Sequence, residues 1–478
     1  MGLIGCTVGP NYQSPEVREE TKPSALDGES VPSRTVPGAI DITWWKSFRD
    51  VELSSLVGRL VAQNLDLKTA AERVIQSVAQ RRIAVSQGLP HIEGQSLDTY
   101  NRQSPNGPIS LLVPAPGAPL EFALFRDGLT SSWQLDLFGR VRRAVEAADA
   151  NALVAVENRH GIALAAVAEL AQSYMQLRGT QNRLGIAKRN LHLTEENIEL
   201  VNARFRNGVA TTLDMAQARA QQATIAATLP PLRAREAELI NALGLLLGEA
   251  PRALETELHR TRILPRVPPK VPVGLPGTLI RRRPDIREAE ARLHQATAQT
   301  GVAVANFYPD VTLNGAVNLE SLHLSNLFTP ASTAFAVGPS ISIPIFEGGR
   351  LRGALALSES QQREAAVFFQ ETVLRAWKEV DDALTRYREA QRRRIDVARS
   401  VTENQSALQA ARQRYSEGAT NFLDVTATQA QLLQSENDLS DSDTLIATDL
   451  VNLYRALGGG WEVADVAHDA DRARFGRE

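Results

Sequence analysis

Cys6 is the only cysteine in 478 residues, and it stands behind Leu3-Ile4-Gly5 and ahead of the polar, proline-bearing run TVGPNYQSPE. A thiol can act as nucleophile, metal ligand or acceptor of a covalent group. A single one forms no internal disulfide and no thiolate metal cage. Two readings fit its surroundings: a small buried hydrophobe, or a lipobox, in which an aliphatic residue and two small or aliphatic residues precede a cysteine that takes a diacylglycerol. Carboxylates are the other reactive groups in quantity, and two recur in one setting. Leu213-Asp214 and Leu423-Asp424 each follow a short glycine-centred turn, FRNGVAT and YSEGATN. GxSxG, HExxH, a Walker A loop and CxxC are all absent, and the seven histidines are scattered singly. The chain therefore reads as a non-enzyme with no metal site and no catalytic constellation.

The elements that must position these residues are written twice. RFRNGVATTLDMAQARAQ (204–221) aligns without gaps to RYSEGATNFLDVTATQAQ (414–431), an offset of 210 that also pairs Leu247-Gly248 with Leu457-Gly458 and Gly139-Arg140 with Gly349-Arg350. A second correspondence sets NLDLKTAAERV against RPDIREAEARL, with Asp66 and Pro90 spaced as Asp285 and Pro309 are. The expected layout is helix at 44–90 and 279–308, strands within 91–137 and 310–346, and long helical arms at 138–247 and 349–457. Each arm is rich in Ala, Leu, Gln, Arg and Glu and interrupted once, at turns near 207 and 417, where glycine supplies a positive φ. An arm such as 140–206 would run for about 100 Å. The stretches 1–43, 248–278 and 458–478 read as irregular, the middle one because of its prolines.

The segments after Pro90 and Pro309 change period. Val311, Leu313, Val317 and Leu319 alternate with Thr312, Asn314, Asn318 and Glu320; Phe335, Val337 and Ile341 with Ala334, Ala336 and Ser340; Phe125, Leu129 and Trp133 with Arg126, Thr130 and Gln134; the stretch near 91–102 is fainter. Period two over such lengths is the pattern of outer-membrane barrel strands, and equally of a half-buried sheet lying on soluble helices. Four strands are too few to close a membrane barrel, so on the first reading several chains must share one. A formal net charge of −3 argues against nucleic acid as a partner. No apolar run is long enough for a transmembrane helix. Five residues ahead of Cys6 cannot hold a secretory signal, so a longer precursor is expected.

Cys6 followed by TVGPNYQSP, then WWKSF, SWQLDLFGR, RRRPDIREAEARLHQATAQTGVAVANFYPDVTL, IPIFEGGR and NLYRALGGGW together resemble the outer-membrane factor family, in its TolC-like lipoprotein branch, in the family's order over nearly the whole chain. The resemblance implies an α+β membrane protein. Three chains would share one 12-stranded outer-membrane β-barrel, four strands from each, continuous with a periplasmic α-helical barrel, and the irregular segments would form an equatorial belt. It implies the exit duct of a tripartite efflux system, passively conducting small molecules from an inner-membrane RND-type pump and a periplasmic adaptor to the outside. On this resemblance Cys6 is acylated, the protein is anchored in outer-membrane lipid, and no other cofactor is expected. Carried over position by position, Arg206, Asn207, Gly208, Val209, Ala210 and Glu417, Gly418, Ala419, Thr420 would meet the adaptor. Leu213, Asp214, Leu423 and Asp424 would ring the periplasmic aperture. Relatives carry an acidic residue in an LDAQR run where this chain reads TATQA, with Ala427, and Asp424 has a second reading as a helix cap. The competing function is a soluble periplasmic coiled-coil scaffold without transport activity.

Overall fold

The structure is a computed structural model describing residues 7–15, 31–104, 106, 121–274 and 282–464. Cys6 and residues 279–281 and 465–478 of the expected segments lie outside the described residues. In chain order the elements are β1 (Arg34–Val36), a short 3-10 turn (Trp44–Phe48), α1 (Val51–Gln63), α2 (Leu65–Ser86), β2 (His91–Arg102), β3 (Glu121–Leu135), α3 (Arg140–Arg206), α4 (Thr212–Ala226) and α5 (Leu229–Leu246). There follow α6 (Glu255–Leu258), β4 (Lys270–Pro272), α7 (Pro284–Ala305), β5 (Asp310–Ser321), two 3-10 turns, β6 (Thr333–Ser342), α8 (Arg350–Ser416) and α9 (Phe422–Ala456).

The duplication is visible in the backbone. Helices α3 and α8 are each 67 residues long, and their limits differ by the offset of the sequence repeat. Three pairs of glycines at that spacing take the left-handed conformation: Gly139 and Gly349 (φ 85° and 89°), Gly208 and Gly418 (72° and 81°), Gly248 and Gly458 (69° and 72°). At Gly458 the need is also steric, because a Cβ there would lie 2.9 Å from Cγ of Arg283.

Two readings are corrected. The first return arm is interrupted a second time, at Ala227-Thr228 between α4 and α5, because Pro230 and Pro231 lack N–H donors and are tolerated only in a helix's first turn. Its counterpart α9 has Ser440 and Asp441 there and runs unbroken for 35 residues. The stretches read as irregular also carry regular structure, since β1 pairs in parallel with β4, Arg34 opposite Lys270 and Val36 opposite Pro272.

The described residues fall into two compact units, those within 7–15, 74–154 and 289–369, and those within 31–73, 155–288 and 370–464. The first holds a four-stranded antiparallel sheet in the order β2-β3-β5-β6, leaving β2 and β6 as edges. Residues 7–15 lie against helices of the same unit. Val8 donates its N–H to the Phe138 carbonyl (3.2 Å), Arg143 holds Asn11 (2.6 Å), and Tyr12 stacks on His294 (4.3 Å) while donating to Glu290 (2.9 Å).

The second unit contains the main apolar core, gathered around Trp44, Trp45, Phe48, α1 and the end of α9. The motifs RRPDI and LYRALGGGW meet there. The Arg283 guanidinium is clamped by Asp285 (2.8 Å) and Glu379 (2.7 Å) and donates to the Ala456 carbonyl (2.8 Å). Trp44 stacks on Tyr454 (5.1 Å) and donates to the Gly459 carbonyl (3.0 Å). In the first half Asn64, which corresponds to Arg283, donates to the equivalent carbonyl of Leu246 (2.8 Å). The chain uses different side chains to satisfy the same orphan carbonyl at a helix end.

A buried ionic knot fixes the irregular stretch after α5. Arg178, fully buried, pairs with Glu52, bonds Gln181 (2.6 Å) and reaches the carbonyls of Leu258 (3.3 Å) and Arg260 (3.1 Å). Removing Arg178 leaves the buried Glu52 carboxylate with only the Tyr174 hydroxyl (3.1 Å) and the more distant Arg262 (3.6 Å). Arg178→Met is expected to destabilise the protein by about 3–5 kcal/mol, and adding Glu52→Gln to restore part of that. The check is the thermal midpoint of the detergent-solubilised protein, and a single variant as stable as wild type would contradict the assignment.

Candidate functional site

Two places concentrate the features a conduit needs, and each is built within one unit. The first is the sheet. Register places Leu129 opposite Val317, Trp133 opposite Leu313, Val317 opposite Phe335 and Val311 opposite Ile341, so one face is apolar across three strands. Ile92 joins it from β2, opposite Ser131. This face is uncovered in a single chain, with Phe335 80% and Val337 74% exposed. The opposite face is polar and tied together. Arg126 pairs with Glu320 (3.1 Å), Gln134 donates to Asp310 (2.9 Å), Arg140 pairs with Asp310 (3.1 Å) and Asn314 donates to Ser340 (2.9 Å).

The second place is the pair of turns in the second unit. Arg204, in the last turn of α3, joins them. It donates to the carbonyls of Tyr415 (2.5 Å) and Ser416 (2.9 Å) and lies over the Tyr415 ring (4.7 Å). Arg206, Asn207, Gly208 and Val209 are exposed, as are Glu417, Gly418 and Ala419; Ala210 and Thr420 are half-buried. Beneath them Tyr415, Phe422, Val425, Ala218 and Val201 form a separate apolar cluster, against which Ala210 packs.

Leu213 and Leu423 sit one residue inside the starts of α4 and α9, and both are exposed, 63% and 54%. The caps of these helices are Thr211 and Asn421, which accept from the N–H groups of Asp214 and Asp424 (each 3.2 Å). Asp424 is therefore not the cap, and the cap reading is corrected. Asp214 completes a reciprocal box by accepting from Thr211 N–H (2.8 Å), and Asp424 accepts from the Thr420 hydroxyl. Both carboxylates gain from the positive end of the helix. Tyr415 is held neutral, its phenol pushed up by burial and further by the Asp214 charge. Arg204, Thr211 and Asn421 were missed as site residues. The patterns TTLD and NFLD carry the capping signal; Arg204 has no local one, because its partners lie on the other turn.

These features converge with the comparisons. The chain belongs to the outer membrane efflux protein family, which it matches over residues 56–249 and 275–459, one span in each half of the repeat. It is 32% identical to outer membrane protein OprJ of Pseudomonas aeruginosa over 96% of this chain and 95% of that one. It is 29% identical to the cation efflux system protein CusC of Escherichia coli over 97% of both. Its fold is similar to that of the outer-membrane channel OprN, with a TM-score of 0.89 and 32% identity over 96% of this chain and 100% of that chain. The protein is an outer-membrane efflux channel, and the soluble-scaffold alternative is set aside.

The link between the turns has a direct consequence. Arg204→Ala should speed proteolytic nicking at 207–210 and 417–420, read by mass of the fragments. Arg414→Ala, its repeat counterpart with no side-chain bond among the described residues, should leave the rate unchanged. Equal rates in both variants and wild type would show that Arg204 does not hold the turns.

Proposed function

We propose that this chain is a passive exit duct that works as a homotrimer, three four-stranded sheets closing one 12-stranded barrel through the outer membrane. The observation that carries this reading is the sheet itself: four strands, one largely apolar exposed face interrupted by Asp127 and Ser131, and two open edges, β2 and β6. Hydrocarbon leaves no water to satisfy edge N–H and C=O groups, so a spanning sheet must close. The polar face then lines the passage, and energy for transport comes from an inner-membrane RND-type pump. No group of the duct itself is assigned a catalytic role, and no cofactor is assigned beyond lipid.

Cys6, outside the described residues, is proposed to carry that covalent lipid. The two turns are proposed as the docking surface for the hairpin of a periplasmic adaptor. Exposed Arg206, Asn207, Gly208 and Val209 beside Glu417, Gly418 and Ala419 support this, with Ala210 and Thr420 completing the rim. Leu213, Asp214, Leu423 and Asp424 are proposed to form the aperture. Two large leucines exposed at equivalent helix starts are explained if threefold assembly packs them against one another, and a ring of carboxylates beside them favours cations.

The test uses the full-length precursor. Outer-membrane protein that needs detergent, migrates as a trimer when unboiled and carries acyl mass on Cys6 supports duct and anchor; a soluble monomer would contradict both. In planar bilayers Leu423→Ser with Asp424→Ala should raise closed-state conductance, and unchanged conductance would remove these residues from the aperture.

A further inference from the structure

The second unit has a pocket of about 490 Å³, open to solvent on one side, between α3, α8, α9 and the start of α7. Its charged lining is mostly paired with itself. Arg283 is spent on Asp285 and Glu379, and Asp382 takes Lys378 (2.6 Å) with Arg386 at 3.9 Å. Asp449 and the exposed Arg455 are left over. Asp449 is only 8% exposed, and no hydrogen bond or ion pair reaches its carboxylate from the described residues. Burial pushes its carboxyl up to about 6, with the Arg386 charge pulling the other way.

The repeat shows that the fold does not require this charge. At the 210-residue offset Asp449, Asn452 and Arg455 of α9 correspond to Leu239, Ala242 and Leu245 of α5. Leu239 is buried in the core of the same unit. A carboxylate buried without a partner is costly, and a leucine at the equivalent place shows that an apolar side chain suits the packing. The missing partner is a donor, and the cavity in front of Asp449 is where it would sit.

We propose that this cavity binds a small organic cation whose ammonium group pairs with the Asp449 carboxylate. An ammonium would supply the charge-assisted N–H donors to Asp449 that Arg386, Asn452 and Arg455, although in the lining, do not give it. The volume lies within the usual range of small-ligand sites, roughly 300–1,000 Å³. A metal ion is the poorer occupant, because no cluster of three or more His, Cys, Asp or Glu among the described residues is placed to hold one. The site lies within one unit of one chain, so it stands apart from the transport reading.

The test is calorimetric titration of the full-length protein in detergent with cadaverine, using pentanediol as a neutral analogue of the same length. The diamine should bind and the diol should not. Asp449→Asn and Asp449→Leu should each weaken diamine binding by about ten-fold or more while the oligomer on unboiled gels is unchanged. Asp449→Leu guards against misfolding, since leucine is what the first half carries there. Asp396→Asn, at an exposed carboxylate of α8 paired with Arg399, should leave binding intact. Absence of binding to the wild type, equal affinity in the Asp449 variants, or equal loss in Asp396→Asn would overturn the proposal. Loss of the oligomer in both Asp449 variants would assign the carboxylate to a contact between chains and overturn it as well.

Discussion

A strand that meets hydrocarbon must find partners for every N–H and C=O along both its edges, because no water is present to take their place. Strands β2 and β6 each have one paired edge and one open edge among the described residues, and the sheet they bound leaves Leu129, Val317, Phe335 and Val337 exposed. Much of the molecule's organisation answers this constraint. Each half of the duplication supplies two strands, a glycine turn and one 67-residue helix, so that sheet and helices are contributed in matched sets. The proposed closure by further copies of the chain would pair the edges, and the surrounding hydrocarbon would take the apolar face.

The duplication also separates what the fold needs from what was added to it. Paired glycines at 139 and 349, 208 and 418, and 248 and 458 keep the same backbone in both halves. Side chains around them have diverged. Asn64 and Arg283 satisfy equivalent helix-end carbonyls with different chemistry. Phe205 is exposed where Tyr415 is buried, and Leu239 fills a core where Asp449 faces a cavity. Positions at which one half keeps an apolar residue and the other buries a charge are where a requirement beyond folding is most readily seen.

Periodicity made the strands and long helices legible in the sequence, because alternation and helix-forming composition act over many residues and survive local exceptions. The turns were legible through Gly208 and Gly418, whose conformation few other residues adopt. What escaped notice depends on contacts distant in sequence. The parallel pairing of Arg34–Val36 with Lys270–Pro272 joins two short stretches with no period of their own. The Arg204 link and the Arg178 knot need partners on other elements. The break before Leu229 was in principle readable, since two adjacent prolines cannot continue a helix. The motifs RRPDI and LYRALGGGW, part of the resemblance in the sequence, prove to be a structural clamp around Arg283 and Trp44. The thiol that opened the sequence question lies outside the described residues, although Val8, Asn11 and Tyr12 fix the chain that follows it.

The central claim is that the apolar face of the sheet meets lipid and the other face meets water. It is tested by placing a spin label at single positions along β5 and β6, in a Cys6→Ala background reconstituted into bilayers, and measuring its access to oxygen and to a water-soluble nickel chelate. Labels at 317, 335, 337 and 341 should be reached mainly by oxygen, and those at 314, 318, 334 and 340 mainly by the chelate. Loss of this two-residue alternation, or chelate access on both faces, would contradict the account.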